Sequence, residues 1–110
     1  LAYGGGYDHN WVLNNGGDIT KVAAKVVAPT SGIVMEVYTN EPGIQFYAGN
    51  SMAEAGDKGK LGVVYPRRGA LCLETQHYPD SPNQPNFPSV VLRPGETYKS
   101  ECIYKFSVAQ

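Results

Sequence analysis

The residue whose setting best suits chemistry is a carboxylate. Ala70-Leu71-Cys72-Leu73 is a run of small and apolar residues that reads as a buried strand, and it delivers Glu74 at its far end. Pro79, Pro82, Pro85 and Pro88 then follow among Asp, Ser and Asn, so the strand empties into a long irregular loop. A carboxylate at a strand end, roofed by a loop, suits proton transfer, because low-dielectric surroundings raise its affinity for a proton toward a working range. The position also fits a Glu that merely hydrogen-bonds the loop.

Two further places set polar side chains against apolar strands. Asp8-His9-Asn10 directly precedes the apolar run Trp11-Val12-Leu13. Three polar residues there can line a polar site or form a turn whose side chains bond the backbone. Gln45 lies between Ile44 and Phe46, and alternation points it away from them, which equally fits a solvent-facing glutamine.

The elements that must hold these residues are strands. Asn14-Asn15-Gly16-Gly17-Asp18 is a turn after the first apolar run. Residues 21–27 and 33–39 read as two strands joined through Pro29-Thr30-Ser31-Gly32, a hairpin with a four- or five-residue loop. In the second of them Ile33, Met35 and Val37 share the face expected to meet the core. Residues 44–47 and 89–92 read as short strands, and residues 51–60 as a polar surface loop. Residues 98–108 alternate, with Tyr98, Ser100, Cys102, Tyr104, Phe106 and Val108 on one face, as in a half-buried antiparallel strand. No segment sustains a 3.6-residue apolar period, so the expected fold class is all-β.

At 110 residues the chain is at most one domain, with 42% hydrophobic and 17% charged residues and a net charge of -1. Thirteen Gly, eight Pro and eight Tyr favour strands and turns over helices. Basic residues are few and scattered apart from Arg67-Arg68, so no nucleic-acid partner is expected. No apolar run reaches the length of a membrane span, and no membrane partner is expected. Cys72 and Cys102 lack metal-ligand spacing and each sits in an apolar strand-like setting, so two buried free thiols are expected, with a disulfide as the other possibility.

Leu73-Glu74-Thr75-Gln76-His77-Tyr78-Pro79-Asp80, with Asn83-Gln84-Pro85, Phe87-Pro88 and Leu92-Arg93-Pro94-Gly95-Glu96-Thr97-Tyr98, resembles the C-terminal signature of the aldose 1-epimerases, or galactose mutarotases. The strings Asp8-His9-Asn10 and Thr39-Asn40-Glu41-Pro42-Gly43-Ile44-Gln45-Phe46-Tyr47 resemble two further blocks of that family, in the same order. The resemblance implies that Glu74 is the catalytic base and that Asp8 and Gln45 bind sugar hydroxyls. His9 is read as structural and His77 as a loop residue. The implied fold is a large antiparallel β-sandwich, the galactose mutarotase-like supersandwich, of which residues 1–110 would be the C-terminal portion of a single domain.

The activity so implied is interconversion of the α and β anomers of an aldose such as galactose or glucose, with no metal and no cofactor. The family's acid is a His upstream of everything present here, and neither His9 nor His77 matches it. A chain opening with Leu1 is therefore expected to be a fragment, one piece of a nicked protein, or a subunit completed by a companion chain carrying the N-terminal portion. The alternative is a non-catalytic carbohydrate-binding β-sandwich module, and a third reading is a purely structural β-domain.

Overall fold

The computed structural model describes residues 2–54, 56 and 58–110. Six strands follow one another: β1 (Asp8–Val12), β2 (Ala24–Val27), β3 (Ile33–Thr39), β4 (Gly43–Tyr47), β5 (Cys72–Gln76) and β6 (Cys102–Val108). The only helical turns among the described residues are short 3-10 segments at Lys60–Gly62 and Ser81–Asn83. The chain divides into two units, Leu1–Trp11 with Gln45–Glu74, and Val12–Ile44 with Thr75–Gln110.

One sheet has the order β2-β3-β6 and is antiparallel throughout. β2 and β3 form the expected hairpin, with Val26 opposite Met35 and Val27 opposite Val34. Its loop closes through bonds from the Ala28 N–H to the Ile33 carbonyl and from the Gly32 N–H to the Ala28 carbonyl. Gly32 takes φ +76° there, a left-handed conformation that a side chain would strain. The register from Ile33 opposite Val108 to Thr39 opposite Cys102 joins β3 to β6. The second sheet has the order β1-β4-β5.

The expected strands at residues 44–47 and 33–39 are present at nearly those bounds, and several other expectations are corrected. β1 begins at Asp8, so of the two readings left open for Asp8-His9-Asn10 the turn is excluded. β5 begins at Cys72 and runs to Gln76, which makes Glu74 its central residue, not its end. Residues 89–92 are not a strand. Pro88 and Pro94 bracket them without donors, and the Val91 N–H is spent locally on the Ser89 hydroxyl at 3.2 Å. β2 is shorter than expected, starting at Ala24. In the loop at 51–60, Ala55 and Asp57 lie outside the described residues; of the rest, residues 51–54 are turn and most side chains are exposed.

Burial is concentrated in few residues. Val34, Val37, Ile44 and Leu73 are the buried apolar side chains among the described residues. On β3 the expected core face holds only toward the C-terminal end: Val37 and Thr39 are fully buried, whereas Ile33 is 51% exposed and Val34, on the other face, is 6% exposed. β6 is exposed along its whole length, and it is an edge strand bonded to β3 alone. On this edge Cys102 is exposed, as is Cys72; both are free thiols, but neither is buried.

Thr39 shows how polar groups enter this interior. Its hydroxyl donates to the Glu101 carbonyl at 2.9 Å and accepts from the Glu41 N–H at 3.0 Å. Thr39→Val keeps the shape and strands both partners, so it is expected to destabilise the protein by about 1–3 kcal/mol. A lowered urea midpoint with an unchanged slope would be the signature.

Candidate active site

The three residues singled out from sequence stand on the three strands of the β1-β4-β5 sheet: Asp8 opens β1, Gln45 is central in β4 and Glu74 is central in β5. Gln45 and Asp8 meet directly, the Gln45 Nε2 donating to Asp8 Oδ1 at 2.8 Å. Alternation explains the contact. Ile44 is buried on one side of β4, so Gln45 projects from the other, where the neighbouring strand offers Asp8. On β5 Leu73 is buried and Glu74 points the opposite way, exposed and not roofed as the sequence led us to expect. The Asp8–Gln45 pair thus holds carboxylate and amide groups in fixed relation, the inventory needed to grip hydroxyls as donors and acceptors.

His9 is exposed and makes local contacts. Its Nδ1 accepts the Asp8 N–H at 3.1 Å and its ring meets Tyr7 edge-on at 5.8 Å. Arg67 and Arg68 brace backbone: Arg67 Nε donates to the Asn50 carbonyl at 3.0 Å and Arg68 Nη2 to the Gly5 carbonyl at 2.6 Å. The Pro-rich segment after β5 is ordered by its own side chains. Asp80, at φ +62°, accepts from Asn83 Nδ2 at 2.6 Å and Gln84 Nε2 at 3.0 Å, and these bonds hold its carboxyl below the usual carboxylate range. Tyr78 and Phe87 close the turn with an edge contact at 5.2 Å. The motif's Asp, Asn and Gln therefore build a loop.

Sequence reasoning missed Glu41. It was legible only as part of the turn Glu41-Pro42-Gly43, yet its side chain is 2% exposed. The carboxylate is satisfied from two distant segments: His77 Nδ1 lies 2.7 Å from Oε2, and the Tyr98 hydroxyl donates to Oε1. The rings of His77 and Tyr98 stand edge-on at 6.3 Å. Burial pulls the Glu41 pKa upward, but hydrogen bonds from Tyr98, Ser100 and His77, with the imidazole's charge, outweigh it and hold the group below its ordinary 4.5. The bond to Glu41 in turn pushes the Tyr98 phenol above its usual 10.0. His77, expected as a loop residue, does lie in the loop, but its ring is committed to this contact.

The neighbours of Glu41 bind further segments. Asn15 Nδ2 donates to the Thr39 carbonyl at 3.1 Å, and the Leu13 N–H to the Pro42 carbonyl at 3.0 Å. Asn40 exchanges bonds with the segment leading into β6, donating from Nδ2 to the Lys99 carbonyl at 3.2 Å and accepting the Glu101 N–H at 2.9 Å. Residues 39–42 form a corner to which the chain after β1, after β5 and before β6 is tied.

Among the described residues no group of three His, Cys, Asp or Glu side chains is placed to hold a metal ion, and no helix is long and apolar enough to cross a membrane.

The fold is all-β and is similar to that of a solved GalM/aldose epimerase homologue from C. elegans. The two chains superpose with a TM-score of 0.83 at 32% identity, over 94% of this chain and 30% of that one. The profile of the family described as aldose 1-epimerase matches residues 2–105, and the chain belongs to that family. It is 51% identical over 104 residues to the galactose mutarotases of Mus musculus and Homo sapiens, and 41% identical over 103 residues to the aldose 1-epimerase of Escherichia coli. These matches take in 94%, 94% and 92% of this chain but only 30%, 30% and 29% of the relatives, so the chain spans about a third or less of their length.

Because the folded-state pKa of Glu41 is depressed, its ionised form stabilises the fold above 4.5, and this contribution is lost as pH falls through the lowered value. Glu41→Gln should therefore cost about 1–3 kcal/mol at neutral pH. The gap from wild type should narrow as pH drops below 4.5. Urea titrations across that range check it; a gap that stays constant would contradict it.

Proposed function

We propose that this chain contributes the base and two sugar-binding side chains of an aldose 1-epimerase. Glu74 removes the C1 hydroxyl proton of a cyclic aldose while an acid protonates the ring oxygen, and the ring opens to the aldehyde. Rotation about C1–C2 presents the other carbonyl face, and the two groups exchange roles on closing. Asp8 and Gln45 hold the sugar hydroxyls, which keeps the opened chain in place for reclosure. The acid, and the rest of a single sandwich domain, come from sequence beyond these 110 residues, either in a longer chain or in a companion one. Galactose or glucose is the expected substrate, and galactose is the sugar that the names of several relatives carry.

The observation that best supports this reading is the Asp8–Gln45 bond at 2.8 Å on two hydrogen-bonded strands, with Glu74 on the next strand. A binding pair fixed by sheet pairing gives a reacting carboxylate on the same sheet a defined partner position. The chemistry needs one base, one acid and hydroxyl-binding groups, and these residues fill the first and third roles.

Glu74→Gln nearly preserves shape and hydrogen-bonding reach but removes the base. In the complete protein it should lower kcat by roughly 100- to 10,000-fold with KM changed little, the usual range for a lost general base. The decay of freshly dissolved α-galactose to its anomeric equilibrium, followed by polarimetry, gives both constants. Undiminished kcat would remove Glu74 from the role.

A further inference from the structure

We propose that Glu41, with His77 and Tyr98, is a positioning group for the reaction: its buried carboxylate locks the strands that carry Gln45 and Glu74. The inference rests on the reading of Glu74 as the base. The side-chain bonds of Glu41 run to His77 and Tyr98, so the effect proposed for it passes through the backbone. Only Pro42, Gly43 and Ile44 separate it from Gln45, and only Thr75 and Gln76 separate its partner His77 from Glu74.

The lock has the features a positioning device requires. It is buried, with Glu41 2% exposed, so its bonds are not traded for water. Its partners come from 36 and 57 residues away, so it joins chain segments that local sequence leaves free. It sits where both strands end: Glu41 two residues before β4, His77 one residue after β5. β4 and β5 are hydrogen-bonded neighbours, and a slip or splay at their shared end would carry Glu74 along or away from Gln45. The adjoining bond from Leu13 to Pro42 anchors the end of β1, the strand of Asp8, to the same corner. A carboxylate is suited to this task because its two oxygens accept from two segments at once, Oε2 from His77 and Oε1 from Tyr98.

The experiment uses the complete protein carrying Glu41→Gln, Tyr98→Phe, both together, and Glu74→Gln as reference. Assays are run where circular dichroism shows each variant fully folded. Positioning predicts that Glu41→Gln lowers kcat by roughly tenfold to 100-fold with KM within about twofold, as for a misplacement near 1 Å. Tyr98→Phe, which keeps the ring and loses only the donor, should lower kcat less. The double variant should fall well short of the product of the two single effects. If Glu74→Gln abolishes turnover while Glu41→Gln and Tyr98→Phe, fully folded, keep wild-type kcat, the positioning role is overturned and the base assignment stands. A loss that only tracks the unfolded fraction also overturns it. If Glu74→Gln itself keeps kcat, the base assignment falls, and the positioning role falls with it.

Discussion

An ionised carboxylate withdrawn from water costs several kcal/mol unless its oxygens are filled by donors. Glu41 meets that condition only if His77 and Tyr98 both arrive, so its burial dictates where two remote pieces of chain must lie. The residues beside it extend the demand. Thr39 and Asn40 bond Asn15, Lys99 and Glu101, and Pro42 bonds Leu13, so a four-residue corner gathers segments from one end of the sequence to the other. With only four apolar side chains buried among the described residues, directional bonds of this kind carry much of the specification that a larger apolar core would otherwise supply.

The candidate site depends on a different property, the alternation of strands. Asp8 and Gln45 come from positions 37 residues apart and meet because pairing puts them on the same side of neighbouring strands. Side chains mounted this way inherit the precision of the ladder beneath them. The Pro-rich loop after β5 has a different task. Its Asp80 is occupied with Asn83 and Gln84, and Tyr78 with Phe87, so its polar residues shape the loop itself.

Much of this was legible in the residues. The hairpin of β2 and β3 followed from two apolar runs around Pro29-Thr30-Ser31-Gly32, and the family blocks pointed to Asp8, Gln45 and Glu74. Boundaries were less readable. Glu74 looked like a strand end because the apolar run stops at Leu73, yet polar Thr75 and Gln76 continue the ladder: pairing with a neighbour, not hydrophobicity, decides where a strand stops. Val90-Val91-Leu92 failed in the opposite sense, with strand composition but the Val91 N–H engaged by Ser89. Glu41 was hidden for a third reason. A glutamate ahead of Pro-Gly reads as solvated turn, and nothing local announces that its partners lie 36 and 57 residues further on.

Cys72 also acquires a use from its place in the sheet. It is free and exposed, and it lies two residues before Glu74, so alternation sets the two side chains on one face of β5 about 7 Å apart along the strand. A thiol-reactive dye or spin label attached there would report from beside the carboxylate, with no cysteine having to be engineered. Cys102, at the start of β6, is the other exposed thiol of this chain, and replacing it with serine would leave Cys72 as the one labelling site within these residues.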